Sequence, residues 1–225
     1  NILDAKRLVY RYCIFADLHG AARSGGVAEL NGGAGGNDFM VTLGGWSNIT
    51  PDLQAGTFMH ELGHTFGLRH GGGDEKYDKP NYYSVMNYMW QAPQFAANFG
   101  SYHWSLNYSP VALPTLNENH LNEFIGLNPG QGDYPVVVIP FNSLGNVKRT
   151  GLLEWGTAID WDGDGDSSGY ASQPVDINYV DPDDDGPSPG GTLVGYADWP
   201  NLKYNFRLSS DFQDPPAAAY RTTAV

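Results

Sequence analysis

The stretch His60-Glu61-Leu62-Gly63-His64-Thr65-Phe66-Gly67-Leu68-Arg69-His70 puts three imidazoles and a carboxylate at spacings that suit one metal ion. On a helix, positions 60 and 64 project from one face a turn apart, so two ring nitrogens can reach the same cation. Glu61 is turned aside on that helix, placed to hold a water at the metal rather than to ligate. Zinc brings the pKa of a water it binds to roughly 7, so a neighbouring carboxylate can take the proton and return it to a leaving amine. Gly67 tolerates positive φ, which lets the helix end and the chain swing His70 back as a third ligand with one position open. A closed structural site would draw on four ligands rich in cysteine, and this chain has only Cys13. The chemistry indicated is hydrolysis at an open zinc centre.

This run resembles the elongated zinc signature of the metzincin metallopeptidases, and Ser84-Val85-Met86-Asn87-Tyr88 resembles their second motif. The resemblance implies an α+β zincin catalytic domain, a small mixed sheet with the active-site helix above a loop-rich lower subdomain. Residues 1–70 would form the upper part, and 71–225 the lower part with the methionine turn and an acidic calcium-loop region. It implies that Met86 lies in a tight turn beneath the histidines. It also implies that Tyr88 reaches the metal and stabilises the tetrahedral intermediate, as in astacin-like and serralysin-like members. Without the histidines, Met86 reads as core filling and Tyr88 as a packed aromatic. The implied activity is that of a secreted zinc endopeptidase on protein or peptide substrates bound in extended form, with Tyr88, Met89 and Trp90 near an apolar side-chain pocket. Gly71 to Gly73 stand where astacins often carry an acidic residue, matrixins lack the tyrosine, and a lone Cys13 excludes the cysteine-stapled adamalysin pattern. The remaining resemblance is to secreted bacterial or archaeal members of pappalysin-like or unassigned type.

These residues need elements to hold them. Thr50 as N-cap and Pro51 in the first turn introduce a helix that continues over Gln54–Leu68. Leu8–Ala16 and Asp38–Leu43 read as strands, and the glycine-rich stretch Gly20–Asn37 between them as a surface connection. Further on, Asn117–Phe124 reads as a helix and Val136–Phe141 as a strand. The 59 residues before His60 are fewer than the resemblance implies for the upper sheet and a backing helix. A reduced sheet, missing upstream sequence or later segments would account for that. No signal-peptide apolar region opens the chain.

With 41% hydrophobic and 13% aromatic residues, the 225-residue chain should fold. Its 25 acidic against 12 basic residues give a net charge of −13, which disfavours nucleic acid and anionic membrane and favours cations and a soluble monomer. No intramolecular disulfide is possible with one cysteine, so packing and metal ions must supply stability. Between Thr150 and Leu202 lie eleven acidic residues and no Lys or Arg. Within it, Asp160, Asp162, Asp164 and Asp166 alternate as in the first half of an EF-hand loop, although the twelfth position is Ala171. The pattern resembles thrombospondin type 3 or dockerin calcium loops, completed by Asp176, Asn178 or Asp181. A solvated acidic loop is the plain alternative, and Asp181–Gly186 reads as a mobile turn. His19, His103 and His120 show no metal spacing, and only His103, beside Tyr102 and Trp104, could line the cleft. Two other classes stay open. One is a calcium-binding adhesion module with a vestigial zinc site, which an intact Glu61 argues against. The other is a zinc amidase acting on a non-protein substrate.

Overall fold

The structure is a computed structural model that describes residues 10–20, 24–30, 36–93, 104–127, 136–138, 150–153, 158–178 and 191–203. Its centre is helix α1, Pro51–Thr65. Thr50 caps it: the extended backbone there lets Thr50 Oγ1 accept from Leu53 N at 3.1 Å, with Pro51 in the first turn. Termination is as local as initiation. Leu68 N donates back to Gly63 O at 3.0 Å and Gly67 takes φ +86°, a conformation glycine enters without steric cost. The expected end at Leu68 is therefore three residues too late, because the chain has already reversed at Gly67.

Three strands pack on α1: β1 Tyr12–Phe15, β2 Gly26–Ala28 and β3 Asp38–Val41. Their order is β1-β3-β2, with β1 parallel and β2 antiparallel to β3. Phe39 and Val41 share a face of β3 and meet Leu53, Phe58 and Leu62 of α1, with the Phe39 ring edge-on to Phe58 at 5.2 Å. Both expected strands are thus present in shortened form, within what is described of Leu8–Ala16 and Asp38–Leu43. The intervening connection is corrected: part of Gly20–Asn37 is strand β2. Its low β propensity has a cause in the packing, because a Cβ on Gly26 would lie 2.5 Å from Glu61 Oε1 and 2.6 Å from Met40 O.

A second cluster, Leu68, Tyr82, Val85, Met86 and Tyr108, lies under the zinc-motif end of α1. A third gathers Leu121, Leu127, Ile159, Trp161, Val175 and Ile177 beside the short pair β4 Leu116–Asn117 and β7 Thr192–Leu193. Strands β5 Val136–Val138 and β6 Thr150–Leu153 pair antiparallel; the rest of Val136–Phe141 lies outside the described residues. Asn117–Phe124 is not helical. Asn117 Oδ1 takes Asn119 N and Asn122 Oδ1 takes Ile125 N, so asparagine side chains close turns that compete with a helix. The segment instead pairs at long range, through Glu123 N to Gly169 O and Ala171 N to Leu121 O. The whole is a small mixed α+β arrangement, that of a metzincin-like zincin domain. Among the described residues no helix is long and apolar enough to cross a membrane.

Candidate metal centre

His60 and His64 leave α1 on one face, and the turn at Gly67 returns His70 to them. The three rings sit 4.8 to 5.3 Å apart centre to centre, and one nitrogen of each falls within 4.8 Å of the others. The Nδ1 of every ring is engaged from behind: His60 by Val85 O at 2.8 Å, His64 by Leu68 O at 2.8 Å, His70 by Glu75 Oε2 at 2.9 Å. Since carbonyls and carboxylates only accept, each Nδ1 donates and each Nε2 carries a lone pair, that of His70 accepting from the Tyr88 hydroxyl. The Nε2 atoms of His60 and His64 stand 3.2 Å apart. Tetrahedral ligands at zinc–nitrogen distances of 2.0–2.1 Å lie about 3.3 Å from one another, so this donor set fits zinc. Burial first, then the neighbouring imidazoles, holds His60 well below its ordinary pKa, and the same causes bring His64 down to about 4. Both stay neutral at physiological pH, the form that binds a cation.

Glu61 lies beside this point, 6% exposed, with burial raising its carboxyl to about 8. A divalent cation next to it would favour the ionised form. Tyr88 holds its hydroxyl 2.9 Å from His70 Nε2, and its ring stacks on Tyr77. Burial first, then Tyr77, keeps that phenol protonated to high pH, so it is a donor.

Met86 is fully buried with its sulfur against Gly63 of the helix. Its turn is held by polar groups whose part sequence reasoning missed. Ser84 Oγ accepts from Met86 N, Asn87 Nδ2 donates to Lys79 O and Tyr82 O, and Asn87 Oδ1 accepts from Met89 N. The signal available was the turn chemistry of Ser and Asn around the methionine. The same turn presents Val85 O to His60.

The histidines open into a cleft of about 660 Å³, bounded on one side by β2 and on the other by Tyr88, Met89 and Gln91. Trp90 does not line it: the side chain is buried edge-on to Tyr83. Glu75 and Gly26 were also missed. Neither has a sequence signal, because each reaches the site across a turn or from a separate strand.

In the acidic loop, Asp160 and Asp162 bring carboxylate oxygens within 4.8 Å of each other and of Glu123, a third acid that spacing could not reveal. Asp160 also accepts from Gly163 N, Asp164 N and Gly165 N. Asp164 and Asp166 lie outside the group, accepting from Asp166 N and Ser168 N. Asp176 packs against Glu118 instead, and Asn178 donates to Tyr77 O. Of the other histidines, His120 stacks on Tyr170 and His19 is exposed, while His103 and Asp181–Gly186 lie outside the described residues.

Residues 2–71, less than a third of the 225-residue chain, match the family model described as Metallo-peptidase family M12B Reprolysin-like. No curated protein and no solved structure matches. The matched type is reprolysin-like, not the pappalysin-like or unassigned type expected from the sequence, and the match ends at residue 71. Taken with three back-anchored imidazoles around one point, it supports a zinc metallopeptidase and leaves the subtype within that class open.

Proposed function

We propose that this chain is a zinc-dependent endopeptidase of metzincin type that acts as a monomer outside the cell, with His60, His64 and His70 as metal ligands and Glu61 as general base. The observation that carries the reading is the convergence of three Nε2 lone pairs beside a buried carboxylate. Zinc held there supplies a Lewis acid that polarises a scissile carbonyl and lowers the pKa of a water. Glu61 takes the proton of the attacking water and passes it to the leaving nitrogen. Tyr88, a donor at the rim, stabilises the oxyanion. Met86 supports the histidines from below. Strand β2 ends the sheet on the cleft side, and its outer edge offers main-chain groups to an extended peptide. Residues 1–70 and 71–225 then form the two walls, with Tyr88 and Met89 giving the pocket an apolar preference.

The test is cleavage of a denatured protein mixture by the purified chain, with and without a zinc chelator, beside Glu61→Ala checked for bound zinc. Chelator-sensitive cleavage is expected, reduced by about 10²–10⁴-fold in the zinc-loaded variant. Intact, zinc-loaded chain that cleaves nothing would overturn the reading.

Calcium belongs to the same proposal, held by Glu123, Asp160 and Asp162 with Asp164 and Asp166 along the same loop. Millimolar extracellular calcium suits a site of this modest charge. Titration of metal-stripped protein should show calcium uptake and a rise in melting temperature. No heat and an unmoved melting temperature would remove calcium from the account.

A further inference from the structure

Two of the three imidazoles lean on backbone carbonyls, Val85 O and Leu68 O, while His70 alone leans on a side chain. Glu75 Oε2 lies 2.9 Å from His70 Nδ1, and its other oxygen accepts from Arg69 Nη1 at 2.7 Å. An acceptor-only carboxylate at Nδ1 places the ring proton there and turns the Nε2 lone pair inward. Tyr88 meets that nitrogen from the opposite side as a donor at 2.9 Å, which agrees with the same tautomer.

Glu75 is five residues past His70, so the chain must double back to deliver it. Gly71, Gly72 and Gly73 make the reversal, with Arg69 N to Gly72 O and Gly72 N to Arg69 O closing it at 2.9 and 2.8 Å. Gly72 takes φ +84°, and a Cβ there would land on the Tyr196 ring, as one on Gly73 would, while a Cβ on Gly71 would meet the Asp74 carboxylate. Asp74 is bound by the buried Lys79 ammonium, which also donates to Val194 O at 2.7 Å. The triple glycine is a clamped reversal whose outcome is the His70–Glu75 contact.

We propose that Glu75 is a positioning residue for the metal centre, fixing the tautomer and orientation of His70 and raising the basicity of that imidazole. The proposal rests on the three-histidine reading above. Carboxylates in this relation to a ligand histidine are worth about 10–100-fold in metal affinity, and here the third ligand is the one a side-chain change can loosen.

The experiment measures zinc affinity of the full chain by competition with a chromogenic chelator, and the visible absorption of the cobalt(II) form, for the parent, Glu75→Ala, Glu75→Gln, Arg69→Ala and His64→Ala. Glu75→Ala should weaken zinc by about 10–100-fold and shift the cobalt bands, with Glu75→Gln, which keeps an acceptor but no charge, losing less. Arg69→Ala, which frees one oxygen of Glu75 but leaves the other on His70, should lose less zinc affinity than Glu75→Ala. A folded Glu75→Ala with parental affinity and cobalt spectrum overturns the proposal while leaving the histidine site standing. Should Glu75→Ala fail to fold, Glu75→Gln decides, and parental affinity and spectrum in it overturn the proposal equally. A parent that binds no stoichiometric zinc, or a His64→Ala that binds as well as the parent, overturns the metal-centre reading and this proposal with it.

Discussion

Tyr88 is where chemistry and packing separate most cleanly at the level of single residues. Its ring stacks on Tyr77 and lies 5.5 Å from the His60 ring, contacts that phenylalanine would keep, while only the hydroxyl reaches His70 Nε2. Tyr88→Phe should therefore retain zinc and melting temperature but lose about 100-fold in kcat, the scale of one oxyanion donor. Unchanged turnover at full zinc content would assign Tyr88 to packing alone. The convergence of His60, His64 and His70 beside Glu61 was legible in the sequence because these residues lie within three helical turns and one glycine reversal, where periodicity fixes geometry. Glu75 was not, since nothing in its spacing says that three glycines fold it back. Nor was Glu123, which meets Asp160 and Asp162 only because residues 121–124 pair with the chain at Gly169–Ala171.

At the level of elements, α1 is bounded by glycines on its buried face that set how closely other segments approach. A Cβ on Gly56 would sit on the carbonyl oxygen of Gln91, which is backbone and cannot step aside. A Cβ on Gly63 would meet the sulfur of Met86, the far part of a flexible side chain. Alanine gains about 1 kcal/mol in helix propensity at either site, against about 1–3 kcal/mol for overpacking. Gly56→Ala should thus cost about 2 kcal/mol net and Gly63→Ala about 1 kcal/mol or less, as denaturant unfolding would measure. Equal effects would show that Met86 is no freer to move than the main chain. The helix could be read from Thr50, Pro51 and Gly67 because caps are local. Strand β2 could not, as Gly26 looks like a loop residue until Glu61 is seen beneath it. The helix expected over Asn117–Phe124 failed for a related reason: its asparagines bond their own turns while its apolar residues serve a distant partner.

Across the whole molecule, Glu118 and Asp176 bury two carboxyls against each other where β4, the Val175–Asn178 segment and the Gly191–Leu193 segment meet. Glu118 accepts from Ile177 N and Gly191 N. Burial first, then Glu118, raises Asp176 to about 6 from an ordinary 3.8. A carboxyl raised on folding binds its proton more tightly in the native state, so its stabilising share is whole below about pH 4 and is lost as pH climbs through about 6. Asp176→Asn, which cannot ionise, should gain on the parent by about 1–2 kcal/mol between pH 4.5 and pH 7. Urea unfolding at the two pH values tests this, and an advantage that does not grow with pH would sink it.

The clamp on the Gly71–Gly73 reversal sets the order in which the histidine site can assemble. His60, Glu61, His64, His70 and Glu75 precede Val194 and Tyr196, which hold the reversal, by some 120 residues. A nascent chain carries the full set of chemical groups long before it carries the brace that aligns the third ligand. Alignment of the third imidazole therefore waits for residues some 120 positions further along the chain.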